Sequence, residues 1–154
     1  MAKVDKILFA MELSELSEEI AEWVNLMVQQ FNAEIHVQHV IPDLNFWGVP
    51  YAVPPKFLDD QGKLIERAEK EIYAFCDKCL DKQFTPKIKV SIGNPAEEII
   101  KYINSAAISM VVVGTHGRSG LDRSIFGSVA DRVLRFSPVP VLCINPHPQE
   151  LETS

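Results

Sequence analysis

Five short apolar runs, each about as long as one β-strand, alternate along this chain with segments that have the periodicity of amphipathic helices. The runs are Ile7–Met11, Ile35–Ile41, Lys87–Ile92, Ile108–Val113 and Val139–Ile144. A nearly continuous apolar run is typical of a strand that is buried on both faces. Strands that alternate with helices favour a parallel sheet, because each connection must cross the sheet before the next strand begins. The sequence therefore predicts an α/β fold, with a five-stranded parallel sheet and helices on both faces.

Four segments have apolar residues at helical spacing. Helix 1 is predicted to begin near Ser14 or Ser17, because serine is a favourable N-cap and acidic residues follow it. Its predicted apolar face consists of Ile20, Trp23, Val24, Met27, Val28 and Phe31. Helix 2 is predicted from Leu58 to about Lys82, helix 3 from Ala96 to about Asn104, and helix 4 around Val129, Val133, Leu134 and Phe136. The apolar face of helix 1 should pack on the sheet.

The chain has the length of one domain and shows no internal repeat. Its 154 residues suffice for a hydrophobic core without metals or disulfides. We expect a single domain over residues 1–154, with a core from about residue 3 to residue 145 and a polar tail over 146–154. The third strand alternates apolar and polar residues, which indicates a place near a sheet edge. Residues 43–57 contain three prolines and are predicted to form a loop.

The net charge of −6 argues against two classes of partner. General binding to nucleic acid or to anionic membranes needs a basic surface, which this composition does not supply. No apolar run has the length of a membrane span or of a signal peptide, and three cysteines fit reduced thiols, so we expect a cytoplasmic protein without membrane insertion. Residues 114–136 differ from the rest, since four arginines against two aspartates give them a local charge of +2.

A glycine-rich segment directly follows the fourth strand. It reads Gly-Thr-His-Gly-Arg-Ser-Gly over residues 114–120, and Gly127-Ser128 opens helix 4. Glycines let the backbone approach a ligand closely and a helix amino terminus offers unpaired N–H groups, so phosphate is the natural ligand of such a segment. Further contacts are predicted from His116, Arg118, Arg123 and the hydroxyls of Ser119 and Ser128. The alternative is that these glycines only form turns and a helix cap.

Two strand ends are candidates for a binding crevice, because ligands of open parallel sheets bind where the strand order reverses. They are Met11-Glu12 after strand 1 and Gly114 after strand 4. These ends are neighbours in a Rossmann-type order, whereas strand 3 separates them in a flavodoxin-like order. Neither the G-x-x-x-x-G-K-S/T motif of P-loop proteins nor a G-x-G-x-x-G motif after strand 1 is present. These residues by themselves leave the strand order and the ligand open.

The spacing of the glycines resembles that of one known family. Gly114, Gly117 and, after nine further residues, Gly127-Ser128 match the G-x2-G-x9-G-S/T motif with which universal stress proteins bind ATP. The similarity extends to Lys6–Ala10 in the first strand, Ile92–Ala96 before helix 3 and Ser137–Leu142 in the last strand. The resemblance implies the Rossmann-like, adenine nucleotide alpha hydrolase-like fold with sheet order 3-2-1-4-5, in which strand 1 lies beside strand 4.

The same resemblance implies a ligand and its contacts. The ligand would be ATP, or ADP or AMP in its place, and the presence of Mg²⁺ on the phosphates is left open. Adenosine would contact Ala10, Met11, Glu12 and Val40; the phosphates would contact Gly114, Gly117, Gly127 and Ser128; Val113, Val129 and Ala130 would line the pocket. Two of these positions depart from the family pattern, since Ala130 lacks a hydroxyl that some members carry and Glu12 replaces the usual Asp.

Three other features have structural explanations that compete with functional ones. Cys76 and Cys79 form a C-x-x-C inside helix 2, and we expect a structural role because no second pair completes a zinc site. His36 and His39 should point to opposite faces of strand 2, so no shared metal is expected. The apolar segment 46–53 is predicted to cover the nucleotide, to contact a partner subunit or to fold back on the core.

The leading functional hypothesis is a regulatory protein of the stress response that binds ATP, acts on an unidentified protein partner and catalyses no reaction. A homodimer through strand 5 is implied by the resemblance, and an unpaired apolar edge gives it a physical reason. One alternative is a slow ATPase or phosphotransferase, although no dense carboxylate cluster accompanies the glycines. The other alternative is an interaction module that needs no nucleotide, which the intact glycine motif disfavours.

We predict that Gly117→Val abolishes ATP binding and leaves the fold intact, because a β-branched side chain would fill the space that the motif leaves for phosphate. Isothermal titration calorimetry measures the affinity, and far-UV circular dichroism checks the fold. A folded variant that binds ATP as tightly as the wild type would contradict the predicted phosphate contact.

Overall fold

Strands and helices alternate in the computed structural model, which describes residues 1–14, 16–43, 60–116 and 126–148. The strands are β1 (Lys6–Ala10), β2 (Glu34–Pro42), β3 (Lys87–Gly93), β4 (Met110–Gly114) and β5 (Val141–Ile144). The helices of the described ranges are α1 (Leu16–Phe31), α2 (Gln61–Cys79), α3 (Pro95–Ser105) and α4 (Ser128–Phe136). The predicted alternation is confirmed. None of these helices has the length and apolarity needed to cross a membrane.

All five strands belong to one parallel sheet with the order β3-β2-β1-β4-β5. The chain moves outward from β1 through β2 to β3, returns to β4 on the other side of β1, and ends at β5. This reversal makes β1 and β4 neighbours, with Ala10 paired to Val113 near their carboxyl ends. The order implied by the family resemblance is confirmed, and the flavodoxin-like alternative is excluded. β3 lies at an edge, as its alternating sequence predicted.

The sheet divides the core into two layers, because successive side chains of a strand point to opposite faces. Ile7 and Phe9 of β1 pack with α1 and α2, whereas Leu8 packs with α3 and α4. All three side chains are fully buried. Each contributes about 1.5–3 kcal/mol of hydrophobic stabilisation relative to an exposed position. Burial on both faces is the reason why β1 is apolar from Ile7 to Ala10.

The apolar stripe of α1 is narrower than predicted. Trp23 and Phe31 of α1 are about half exposed. The residues that α1 buries against the sheet include Ile20, Ala21, Val24 and Val28. A residue three positions beyond Ile20 already turns away from this line, because successive helix residues are rotated by about 100°. The prediction that Trp23 and Phe31 pack on the sheet is therefore wrong.

Element ends differ from the predicted ones by a few residues, as is usual. α1 begins at Leu16, and Ser17 lies inside it with its hydroxyl donating to the Glu12 carbonyl. β4 begins at Met110, because the Ile108 N–H still donates to the Ile103 carbonyl at the end of α3. α2 ends at Cys79 rather than near residue 82, and β5 begins at Val141 rather than at residue 139.

A group of polar side chains joins β2, β3 and α3 near the amino ends of the strands. The buried His36 places Nε2 2.5 Å from Glu34 Oε1 and Nδ1 2.8 Å from the Tyr102 hydroxyl. Lys87 Nζ lies 3.0 Å from the same Glu34 oxygen. The hydrogen bonds from Lys87 and then from His36 lower the pKa of the Glu34 carboxyl. Burial raises the pKa of the Tyr102 phenol. His36 thus makes hydrogen bonds that hold the fold, as expected.

We predict that Glu34→Gln lowers the free energy of unfolding at about pH 7 and lowers it by less at about pH 3, which is below the ordinary pKa of glutamate. The carboxyl has a lower pKa in the folded state, so its stabilising contribution is present above the unfolded pKa and is lost as the pH falls through the folded pKa. Urea denaturation at both pH values measures the difference. Glu66→Gln is a control at an exposed position of α2. An equal loss from Glu34→Gln at both pH values would contradict the charge-dependent role.

Candidate functional site

A cavity of about 590 Å³ lies at the carboxyl ends of β1, β2 and β4. This volume is in the range of small-molecule sites, about 300–1,000 Å³. The amino-terminal residues of α1, α3 and α4 form part of its wall, and one face of α2 forms another part. The cavity therefore occupies the place where a parallel sheet opens a crevice, between the two strands at which the order reverses.

Most of the candidate binding residues from the sequence line this one cavity. They are Ala10, Met11, Glu12, Val40, Val113, Gly114, His116, Gly127, Ser128, Val129 and Ala130. The remaining candidates, Gly117, Arg118, Ser119 and Arg123, lie outside the described residues. The fold brings together segments that are more than a hundred residues apart in sequence, because all of them follow or precede the same edge of the sheet. Their contact with a ligand stays a prediction.

The amino terminus of α4 has no side-chain cap. Its N-cap is Gly127, and the first intrahelical bond runs from the Asp131 N–H to the Gly127 carbonyl at 2.9 Å. The N–H groups of Ser128, Val129 and Ala130 precede this bond and have no partner within the helix. Nor does any other described residue accept from them. Unpaired N–H groups at the positive end of a helix dipole favour an anion in this part of the cavity.

Gly127 permits a close approach of two backbone segments. Its N–H donates to the Thr115 carbonyl at 2.7 Å, and the Thr115 N–H donates to the Ile144 carbonyl of β5 at 2.9 Å. A Cβ atom on Gly127 would lie 2.9 Å from the Thr115 carbonyl oxygen. The Gly127 amide is thus already paired, and the donors left for a ligand begin at Ser128.

Packing also explains Gly114. A Cβ atom at this position would lie 2.6 Å from Cδ1 of Ile20 on α1, so glycine lets α1 pack closely over the end of β4. The next two residues contact one another, with Thr115 Oγ1 2.8 Å from His116 Nδ1. Gly114 at the end of β4 and Gly127 at the N-cap of α4 therefore have packing roles, and both also border the cavity.

Hydrogen bonds hold the chain after β1 against β2. The Met11 N–H donates to the Gln38 carbonyl at 2.9 Å, and His39 Nδ1 lies 3.1 Å from the Met11 carbonyl. Because a carbonyl only accepts, Nδ1 of His39 carries a proton. The Glu12 carbonyl in turn accepts from the Ser17 hydroxyl. The backbone that presents Glu12 to the cavity is therefore fixed at both ends. His39 also lines the cavity, although its sequence context did not predict a place in the site.

Helix α2 supplies a part of the cavity wall that the sequence pattern did not predict. Leu64, Arg67, Ala68 and Glu71 all line the cavity, and their spacing places them on one face of the helix. Arg67 Nε lies 3.2 Å from Glu71 Oε1. An arginine and a glutamate on the edge of an apolar stripe were the available signal, but the sequence did not say which strand ends α2 would cover.

The cysteines lie away from the cavity and are free. Burial and, to a smaller extent, the neighbouring Cys79 raise the pKa of the Cys76 thiol to about 11. Burial also raises the pKa of Cys79. A thiol that stays protonated is a poor nucleophile and metal ligand, which fits a structural role. Within the described ranges no three His, Cys, Asp or Glu side chains meet as a metal site would require. Segment 46–53 lies outside the described residues.

The family model for the universal stress protein family matches residues 3–145. Universal stress protein MJ0531 of Methanocaldococcus jannaschii is 28% identical over 143 residues, which cover 90% of this chain and 81% of that protein. The matched residues include all five strands and the described residues that line the cavity. The chain belongs to the universal stress protein family.

Solved structures share this fold. The structure of MJ0577 from the same archaeon has a TM-score of 0.79 at 26% identity, and the match covers 94% of this chain and 98% of that one. A universal stress protein solved in complex with cAMP has a TM-score of 0.60 at 15% identity, covering 94% and 99%. One from Archaeoglobus fulgidus in complex with dAMP has a TM-score of 0.56 at 15% identity, covering 94% and 100%. At 15% identity, the structures with cAMP and dAMP show only that the fold is shared.

We predict that Gly127→Ala lowers the free energy of unfolding by about 1–3 kcal/mol, because the added methyl group would overlap the Thr115 carbonyl. Gly62→Ala in α2 is the matched control: nothing lies within 4 Å of a Cβ there, and alanine should stabilise the helix by about 0.5–1 kcal/mol. Urea denaturation measures both. Effects of the same sign and size would mean that the approach to Thr115 is not what requires glycine.

Proposed function

We propose that this protein binds an adenine nucleotide, ATP first and ADP or AMP in its place, in the cavity between β1 and α4. The uncapped amino terminus of α4 carries the proposal, because its unpaired N–H groups border a cavity of ligand size. Membership of the universal stress protein family supports it. Relatives solved with cAMP and with dAMP support an adenine nucleotide in particular.

The two ends of the cavity differ in chemistry, and this difference orients the ligand. Phosphates belong at Ser128, Val129 and Ala130, where amide donors and the helix dipole favour negative charge. Ala130 offers its backbone N–H alone, since it has no hydroxyl. The base belongs at the opposite end, which is bordered by Val40, Ile41, Pro42, Leu64 and Ala68. The ribose then lies beside Ala10, Met11 and Glu12, where the Glu12 carboxylate is an acceptor for its hydroxyls.

We further propose that the nucleotide is bound and not turned over. Phosphoryl transfer requires ligands that position Mg²⁺ and a group that orients the nucleophile. The carboxylates that border the described part of the cavity are Glu12 and Glu71, on different elements. Phosphate release from ATP followed over hours tests this proposal, and release that depends on Glu12 would favour the slow ATPase instead.

We propose that the effect of nucleotide binding is transmitted from the glycine motif to β5. The Thr115 N–H donates to the Ile144 carbonyl, so the segment that begins the glycine motif is bonded directly to the edge strand. β5 exposes one edge within the sheet, and Val141, Leu142 and Cys143 are half-buried there. An edge strand of this kind suits a homodimer that presents one surface to a cytoplasmic protein partner. Sedimentation velocity with and without ATP measures the dimer directly.

We predict that Ser128→Asp weakens ATP binding by about tenfold or more, roughly 1.4 kcal/mol, because the new carboxylate repels the phosphates. The same change leaves the fold stable, since an acidic residue in the first turn of a helix is favourable by about 0.3–1 kcal/mol. Adenosine, which carries no phosphate, should bind the variant and the wild type equally. Isothermal titration calorimetry with ATP and with adenosine measures both affinities.

Two control variants separate charge from size and position. Ser128→Asn adds a similar volume without charge and should retain most of the affinity for ATP. Gln61→Asp places the same charge on the first residue of α2, which is exposed and does not border the cavity, so ATP affinity should not change. An equal loss of ATP and adenosine binding in Ser128→Asp would show that the phosphates do not lie at α4.

A further inference from the structure

The α2 wall carries the one lysine or arginine among the described residues that border the cavity. This residue is Arg67, and it lies between Leu64 and Ala68 on the stripe that faces the base end. The position of the Arg67 backbone is fixed by α2, in which the neighbouring Ala68 is buried. α2 packs on β2 and β3, whereas α4 follows β4 on the other side of β1, so this cation is not placed among the phosphate contacts proposed above.

Glu71 holds one edge of the Arg67 guanidinium. Arg67 Nε lies 3.2 Å from Glu71 Oε1, in the i,i+4 arrangement along α2. The contact occupies the Nε edge, and no acceptor among the described residues pairs with the terminal Nη groups. Both flat faces of a guanidinium that is bonded at its edge stay available, because hydrogen bonds lie in its plane.

Two kinds of ligand group suit a guanidinium, namely an anion and an aromatic ring. A second anion is disfavoured here, because Glu71 already offsets the charge of Arg67 at 3.2 Å. A ring is favoured, because Leu64, Ala68 and the end of β2 make this part of the cavity apolar. The pair of Arg67 and Glu71 therefore has the chemistry of a platform for a flat base and not of a second phosphate site.

We propose that Arg67 stacks on the nucleobase and that Glu71 is the positioning residue which keeps its guanidinium in place. This inference rests on the proposed nucleotide site and adds to it an affinity determinant on α2. Its consequence is that α2 contributes to binding of the nucleoside part, whatever the number of phosphates. α4 contributes to binding of the phosphates alone.

The test is Arg67→Gln, titrated by calorimetry with ATP, AMP and adenosine. Loss of a cation–π contact at a partly exposed site should weaken all three ligands by the same factor, about two- to fivefold. The side chain is 81% exposed and glutamine has a similar helix propensity, so the variant should melt at the wild-type temperature. Lys70→Gln is the matched control: it removes one positive charge from an exposed position of α2 that does not border the cavity.

The role of Glu71 is tested in the same titrations. Glu71→Gln should weaken the three ligands less than Arg67→Gln does, and adding it to Arg67→Gln should cause no further loss, because it acts through the guanidinium. A loss of affinity in Arg67→Gln that is confined to ATP would identify a phosphate contact and would contradict stacking of Arg67 on the base. Unchanged adenosine affinity in Arg67→Gln would contradict stacking on the base as well. Failure of the wild type to bind any of the three ligands would overturn the proposed nucleotide site itself.

Discussion

The pairing of β1 with β4 is the constraint on which the rest of the structure depends. It makes β1 the central strand, so its side chains must be apolar on both faces, and Ile7, Leu8 and Phe9 are accordingly fully buried. It also makes the chain leave β1 and β4 at adjacent points. Helices α1 and α4 then begin on opposite faces of the sheet, and a cavity opens between their amino termini because their connections diverge.

The glycine motif serves structure and site together. Gly114 lets α1 approach the end of β4, and Gly127 lets α4 begin against the Thr115 carbonyl. Each contact that explains a glycine by packing also brings a helix amino terminus or a strand end to the cavity. A choice between packing and ligand binding is therefore unnecessary at these two positions, because the close packing is what leaves the amides of Ser128 and its neighbours at the cavity wall.

Much of the fold was predictable because it follows from local pattern. The apolar runs identified each strand of the sheet, and the spacing of Gly114, Gly117, Gly127 and Ser128 identified the family, which supplied the strand order. The face of α1 was predicted less well, since periodicity counts Trp23 and Phe31 as apolar without saying how far the sheet extends beneath them. The wall of α2 was not predicted at all, because it depends on which strand ends that helix covers.

By itself, the sequence determined the alternation of strands and helices, the burial of β1 and the glycines that permit two close approaches, because these depend on periodicity and on the size of single side chains. Only the tertiary structure decided that the Gly127 amide is paired with Thr115, that His39 contacts the Met11 carbonyl, and that Arg67 and Glu71 border the cavity. Each of these depends on distances between elements far apart in sequence. Such distances are set by how the helices pack across the sheet, which no local pattern contains.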